Sequence, residues 1–112
     1  MSLITTHVLD TSLGRPAASL TVSLDVREGD NWRELGHSAT DSDGRVREFS
    51  PGTTLGVGSY RLNFETAAYF RASSREAFFD RVTIEFRVAD ASQHYHVPLL
   101  LTPFGYTTYR GS

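Results

Sequence analysis

Apolar and polar positions alternate strictly in three stretches of this chain. In LTVSLDVR, Leu20, Val22, Leu24 and Val26 fall on one side, and Thr21, Ser23, Asp25 and Arg27 on the other. YRLNFE repeats the pattern with Tyr60, Leu62 and Phe64, and RVTIEFRV repeats it with Val82, Ile84, Phe86 and Val88. A period of two is the pleat of an extended strand, whose side chains point to opposite faces in turn. One face then meets a core and the other meets water. Between these stretches stand clusters of turn formers: GRP at 14–16, EGDN at 28–31, DSDG at 41–44, SPG at 50–52, ADAS at 89–92 and TPFG at 102–105. Their spacing predicts seven or eight short strands and an all-β sandwich. TAAYFRASSREAFF alternates poorly and is rich in Ala, Arg and Glu, which predicts one short helix near 66–73.

The C-terminal end carries the densest candidate chemistry, in HYHVPLLLTPFGYTTYRGS. On a regular strand His94 and His96 share one face, while Tyr95 and Val97 share the other. Pro98 has no N–H to donate to a ladder, which predicts an edge strand or a bulge there. A hairpin turning at TPFG lays the last residues beside HYHV: His96 faces residue 111 or 112, and Val97 faces Arg110 or Gly111. A slip of one residue flips the face. Turn geometry therefore puts the tail beside the histidines without choosing which side chain joins them.

Composition removes several classes of chemistry. The chain has 112 residues, a length that fits one domain spanning 1–112, with no repeat or linker. A net charge of −2 offers no electrostatic footprint for nucleic acid or for an acidic membrane surface. All 11 basic residues are arginine, so Schiff-base, phosphate-loop and general-base lysines are excluded. The absence of cysteine excludes thiol nucleophiles, disulfides and cysteine-ligated zinc. No Gly-x-Ser-x-Gly elbow and no glycine-rich phosphate loop occurs. MSLITTHVLD lacks a basic n-region and a long apolar core, and no apolar run approaches the roughly 18 residues of a membrane span. The expected compartment is the cytoplasm, with no peroxisomal address.

The remaining candidates are individually weak. His94 and His96 could ligate a metal, with His7 or His37 as a third ligand, but no spacing motif requires it. TDSDGR fails as an EF-hand, having Ala39 two positions before Asp41 and Ser50 where the twelfth-position Glu belongs. It reads instead as a tight Asp-Gly turn, with Gly44 at positive φ and Arg45 leading the next strand. His7 shares its face with Leu3, Thr5 and Leu9, and by that pattern reads as a core residue.

Taken together, HVLDTSLGRPA at 7–17, TDSDGR at 40–45 and HYHVPLLLTPFGYTTYRGS at 94–112 resemble the transthyretin-like 5-hydroxyisourate hydrolases. The closing Tyr-Arg-Gly-Ser is the most specific element, because it separates the enzymes from transthyretin itself. In FFDRV this chain has Asp80 where many members have proline after a Phe-Phe or Phe-Tyr pair. The resemblance implies a sandwich of two four-stranded sheets with one short helix. It also implies a homotetramer with pockets at the dimer–dimer interface. The implied activity is hydrolysis of 5-hydroxyisourate to 2-oxo-4-hydroxy-4-carboxy-5-ureidoimidazoline, in purine breakdown, without a metal or organic cofactor. The implied catalytic residues are His7, Arg45 and His96, with Tyr109, Arg110, Gly111 and Ser112 holding substrate. A non-catalytic carrier of a small aromatic ligand, and an adhesion or carbohydrate-binding sandwich, are the competing readings.

Overall fold

Every alternating stretch becomes a strand in the computed structural model, which describes residues 3–112. The elements in chain order are β1 (Ile4–Asp10), β2 (Arg15–Pro16), β3 (Thr21–Glu28), β4 (Asn31–Ala39), β5 (Arg45–Val46), β6 (Gly58–Phe64), α1 (Thr66–Ala72), β7 (Val82–Val88), β8 (Tyr95–Thr102) and β9 (Gly105–Thr108). One sheet runs β4-β3-β6-β7 and is antiparallel throughout. The other follows the path β2-β1-β8-β9, and β5 also pairs with β1. The four-stranded path agrees with the expected sandwich. The extra strand is a two-residue piece that shares the free edge of β1 with β2: β5 lies against Thr6 and His7, β2 against Leu9 and Asp10.

The two sheets close over a single core. Val22, Leu24, Leu62, Phe64 and Val82 come from one sheet, and Ile4, Val8, Val97, Leu99 and Leu101 from the other; none is more than 6% exposed. Each fully buried aliphatic or aromatic side chain contributes about 2 kcal/mol by leaving water. On β3 the period of two survives a bulge, because Leu35 is an extra residue between Gly36, opposite Leu24, and Glu34, opposite Asp25.

β1 and β8 run parallel and join the two ends of the chain over seven residue pairs. This pairing sorts their side chains. Ile4, Thr6 and Val8 face the core beside Tyr95, Val97 and Leu99, so Thr5 and His7 face outward beside His96 and Pro98. His7 is thus not the core residue its apolar neighbours suggested: the alternate positions of β1 fill the core, and His7 stays half-buried on the outer face.

Pro98 also departs from expectation. β8 is an interior strand, between β1 and β9. β9 pairs with it as far as Leu99 opposite Thr108, and pairing resumes as a bridge between His96 and Gly111. Pro98 falls in the interruption, where the missing N–H costs no ladder bond. Its carbonyl accepts from Thr108 Oγ1 at 2.8 Å.

Helix α1 covers one end of the sandwich and buries Phe70. The carboxylate of Asp10, fully buried at the end of β1, fastens it: Oδ2 accepts from Tyr69 Oη at 2.8 Å and from Arg75 Nη2 at 2.8 Å. Among the described residues no helix is long and apolar enough to cross a membrane.

Candidate active site

The outward face of the β2-β1-β8-β9 sheet gathers the candidate residues from three strands, β1, β5 and β8. His7 on β1 lies opposite Arg45 on β5, and Thr5, two residues earlier, lies opposite His96 on β8. Residues opposite one another in a ladder project from the same face. Three positions that are 38 and 51 residues apart in sequence, His7, Arg45 and His96, therefore share one patch. The cleft beside Arg45 and His96 has a volume of about 430 Å³, and its lining includes Thr5, Arg45, Arg47, Glu48, His94, His96 and Ser112.

Arg45 is delivered by the Asp-Gly turn. Asp41 Oδ1 accepts from the backbone N–H groups of Asp43 and Arg45, each at 2.9 Å, and Asp41 N–H donates to the Arg45 carbonyl at 2.9 Å. The N–H of Arg45 foremost, then the N–H of Asp43 and the nearby Arg47, hold the Asp41 carboxyl below the usual carboxylate range. Gly44 has φ +77°, and a Cβ there would come within 2.3 Å of the Val8 carbonyl oxygen. The turn can pack against β1 only with glycine at that position. Asp41 also neutralises Arg47 at 2.9 Å, whereas Arg45 makes no ion pair among the described residues.

The histidines are bound to one hydroxyl. Thr5 Oγ1 lies 2.9 Å from His94 Nε2 and 2.8 Å from His96 Nδ1, and the two rings stack with centroids 6.3 Å apart. His96 is half-buried and titrates below the ordinary histidine value. Burial is the main cause, and the charges of Arg45, His94 and His7 add to it by disfavouring a second positive group. His96 is thereby neutral at pH 7, with Nε2 left for the cleft because Nδ1 is turned to Thr5.

The tail lies where hairpin geometry put it, in the register that sets His96 opposite Gly111. Gly111 N–H donates to the His96 carbonyl at 2.8 Å. A Cβ on Gly111 would approach His96 Cδ2 to 2.7 Å and Pro98 Cγ to 3.2 Å. The glycine makes room for the imidazole. Ser112 lines the cleft. Tyr109 and Arg110 are placed differently within the chain. Tyr109 is 56% exposed, and Arg110 turns to the opposite face, its guanidinium 4.4 Å above the Tyr95 ring and donating to Gln93 Oε1 at 3.0 Å. No group of three or more His, Cys, Asp or Glu side chains suited to a metal occurs among the described residues. His37 is remote from the other histidines, on the exposed β4 beside Glu34.

Thr5 and the spatial role of Gly111 were not foreseen from the sequence. Thr5 carries no motif, and its only signal is the parallel register of β1 with β8.

The model of the HIUase/Transthyretin family matches residues 4–111. A 5-hydroxyisourate hydrolase of Caulobacter vibrioides is 47% identical over 116 aligned residues, covering 100% of both chains. The solved 5-hydroxyisourate hydrolase of Klebsiella pneumoniae is 42% identical, covers 99% of this chain and 100% of its own, and superposes with a TM-score of 0.86. Sea bream transthyretin, solved in complex with thyroxine, is 27% identical with 98% and 95% coverage and a TM-score of 0.92.

Proposed function

This chain belongs to the HIUase/Transthyretin family, and from that premise we propose that it is a 5-hydroxyisourate hydrolase. It opens the six-membered ring of 5-hydroxyisourate to give 2-oxo-4-hydroxy-4-carboxy-5-ureidoimidazoline. Backbone likeness does not separate enzyme from carrier, since the transthyretin fold superposes at least as well as that of the hydrolase. The observation that carries the reading is that Arg45, which makes no ion pair among the described residues, shares one sheet face with His7 and with His96, whose pKa burial lowers. A carrier of an apolar ligand has no use for that combination.

The chemistry follows from the groups. Water attack on a ring amide carbonyl needs a base, a stabiliser for the oxyanion and a proton for the leaving nitrogen. His96 Nε2 takes the proton from water, and His7, on the same patch, orients water or returns a proton. Arg45 is a permanent cation with a forked donor face, suited both to an oxygen-rich substrate and to the charge that grows on the carbonyl oxygen. Ser112 and the backbone at Gly111 close one side against substrate. This scheme runs on side chains of the chain itself.

The cleft lies on an outward sheet face, and Tyr109 is presented to the outside. Both features suit a homotetramer in which pairs of copies meet face to face and line each pocket from two subunits. Phe104, 68% exposed in the turn between β8 and β9, and the exposed Tyr106 supply apolar surface for such contacts.

The decisive measurement is the decay of freshly generated 5-hydroxyisourate, followed by absorbance with and without protein. The protein is expected to outpace the spontaneous reaction. Arg45→Ala and His96→Ala are each expected to lose about 100-fold or more in kcat while keeping the oligomer seen by size exclusion. Wild-type protein that adds nothing to the spontaneous rate would end the hydrolase reading.

A further inference from the structure

We propose that Thr5 couples His94 and His96 into one proton-handling unit, acting as a positioning residue that sets the tautomer of His96 and passes its charge to His94. The inference rests on the hydrolase reading above.

Thr5 is only 7% exposed on β1, and its hydroxyl is the shared partner of His94 Nε2 and His96 Nδ1. A hydroxyl has one proton to give and lone pairs to receive with. When both rings are neutral, Thr5 donates to one of them and the other must donate to it. The two tautomers are therefore linked. If His96 is to present a bare Nε2 to water, its Nδ1 carries the proton and donates to Thr5, and Thr5 donates to His94 Nε2. In the opposite arrangement His96 shows an N–H to the cleft and cannot act as the base.

The same three groups can move charge. Once Nε2 of His96 has taken a proton from water, the half-buried ring is a cation in a cleft that also holds Arg45, Arg47 and Glu48, and the charges of Arg45 and His7 act against it. His96 Nδ1–H passes its proton to Thr5 Oγ1 as the hydroxyl proton of Thr5 passes to His94 Nε2. One N–H and one O–H bond break, one O–H and one N–H form, and the positive charge moves from His96 to His94. His94 lines the same cleft but is exposed where His96 is half-buried, so water solvates the cation better on the His94 ring. The reverse transfer restores the His96 cation when the leaving nitrogen needs its proton. Nothing enters or leaves the relay except the proton taken from water.

The test compares Thr5→Val, which keeps the branched shape and removes the hydroxyl, with Thr5→Ser, which keeps the hydroxyl. Steady-state rates on fresh 5-hydroxyisourate are measured across pH, and imidazole nitrogen spectra report the tautomers independently of catalysis. Thr5→Val is expected to lower kcat about 10- to 100-fold with KM changed less than about threefold, and Thr5→Ser to remain within about threefold of wild type. The spectra should show His96 of the wild type protonated at Nδ1 and bare at Nε2, and a mixture in Thr5→Val. His94→Gln should also slow turnover, and adding it to Thr5→Val should cost nothing further. Independent, additive losses would overturn the relay. An active wild type whose Thr5→Val variant keeps its kcat and its pH profile would overturn the proposal and leave the hydrolase reading standing. If the wild type is inactive the hydrolase reading falls, and the spectra still decide: Nδ1–H on His96 supports the role of Thr5, and Nε2–H overturns it.

Discussion

His96 shows how much of a residue's behaviour is set by neighbours that are distant in sequence. Its low titration point arises from burial first, then from Arg45, His94 and His7. In the proposed role of base, His96 is active when neutral and loses activity as pH falls through its folded pKa. The acid limb of kcat/KM should therefore have its midpoint below the ordinary histidine value of 6.5. In Arg45→Gln the residual activity should show that midpoint moved up, because the second-largest cause of the shift has been removed. A pH–rate profile of each protein checks both statements. Gly111 illustrates a requirement of a different kind. Its backbone matters less than the side chain it lacks, since a Cβ would occupy the space of the His96 ring.

At the scale of elements, the helix depends on a strand for its attachment. Tyr69 and Arg75 reach the buried carboxylate of Asp10 from α1 and the loop after it, and Ser12 donates to Oδ1 at 2.6 Å. Burial alone would raise the Asp10 pKa. The hydrogen bonds from Arg75, Ser12 and Tyr69 and the charge of Arg75 outweigh it and hold the value at about 2, against 3.8 in water. A carboxylate whose folded pKa is depressed stabilises the fold fully above its unfolded pKa. That contribution is lost as pH falls from 3.8 toward 2. Asp10→Ala should cost about 3 kcal/mol at neutral pH, because it strands the Arg75 guanidinium and the Tyr69 hydroxyl. It should also lose less stability than wild type between those two pH values. Urea unfolding followed by circular dichroism at several pH values measures both effects.

On the scale of the whole molecule, the last four residues attach by few bonds. Strand β9 ends at Thr108, and beyond it the tail is tied down by the bridge at Gly111 and by Arg110, which stacks on Tyr95 and donates to Gln93 Oε1 and the His94 carbonyl. Deleting Tyr109 to Ser112 should leave the sandwich folded, with a loss of about 1–2 kcal/mol. It should also abolish hydrolysis, as one wall of the cleft goes with the tail. Thermal unfolding and the 5-hydroxyisourate assay on the same preparation separate the two effects. Full activity in the truncated protein would show that the tail takes no part in the site.

The strands β3, β6 and β7, the helix, the Asp-Gly turn and the position of the tail were all legible in the sequence. Each is specified locally, by alternation, by turn residues or by the length of a hairpin, and such signals need no knowledge of distant partners. Other features were decided only by the tertiary structure. The parallel pairing of β1 with β8 put His7 on the outer face rather than in the core, brought Thr5 between two histidines about 90 positions away and made β8 an interior strand despite Pro98. Strand-to-strand register between the two ends of a chain leaves no local trace, because it is chosen by which faces the whole core can bury. The sequence alone determined the residues available for the chemistry; the fold decided which of them face one another.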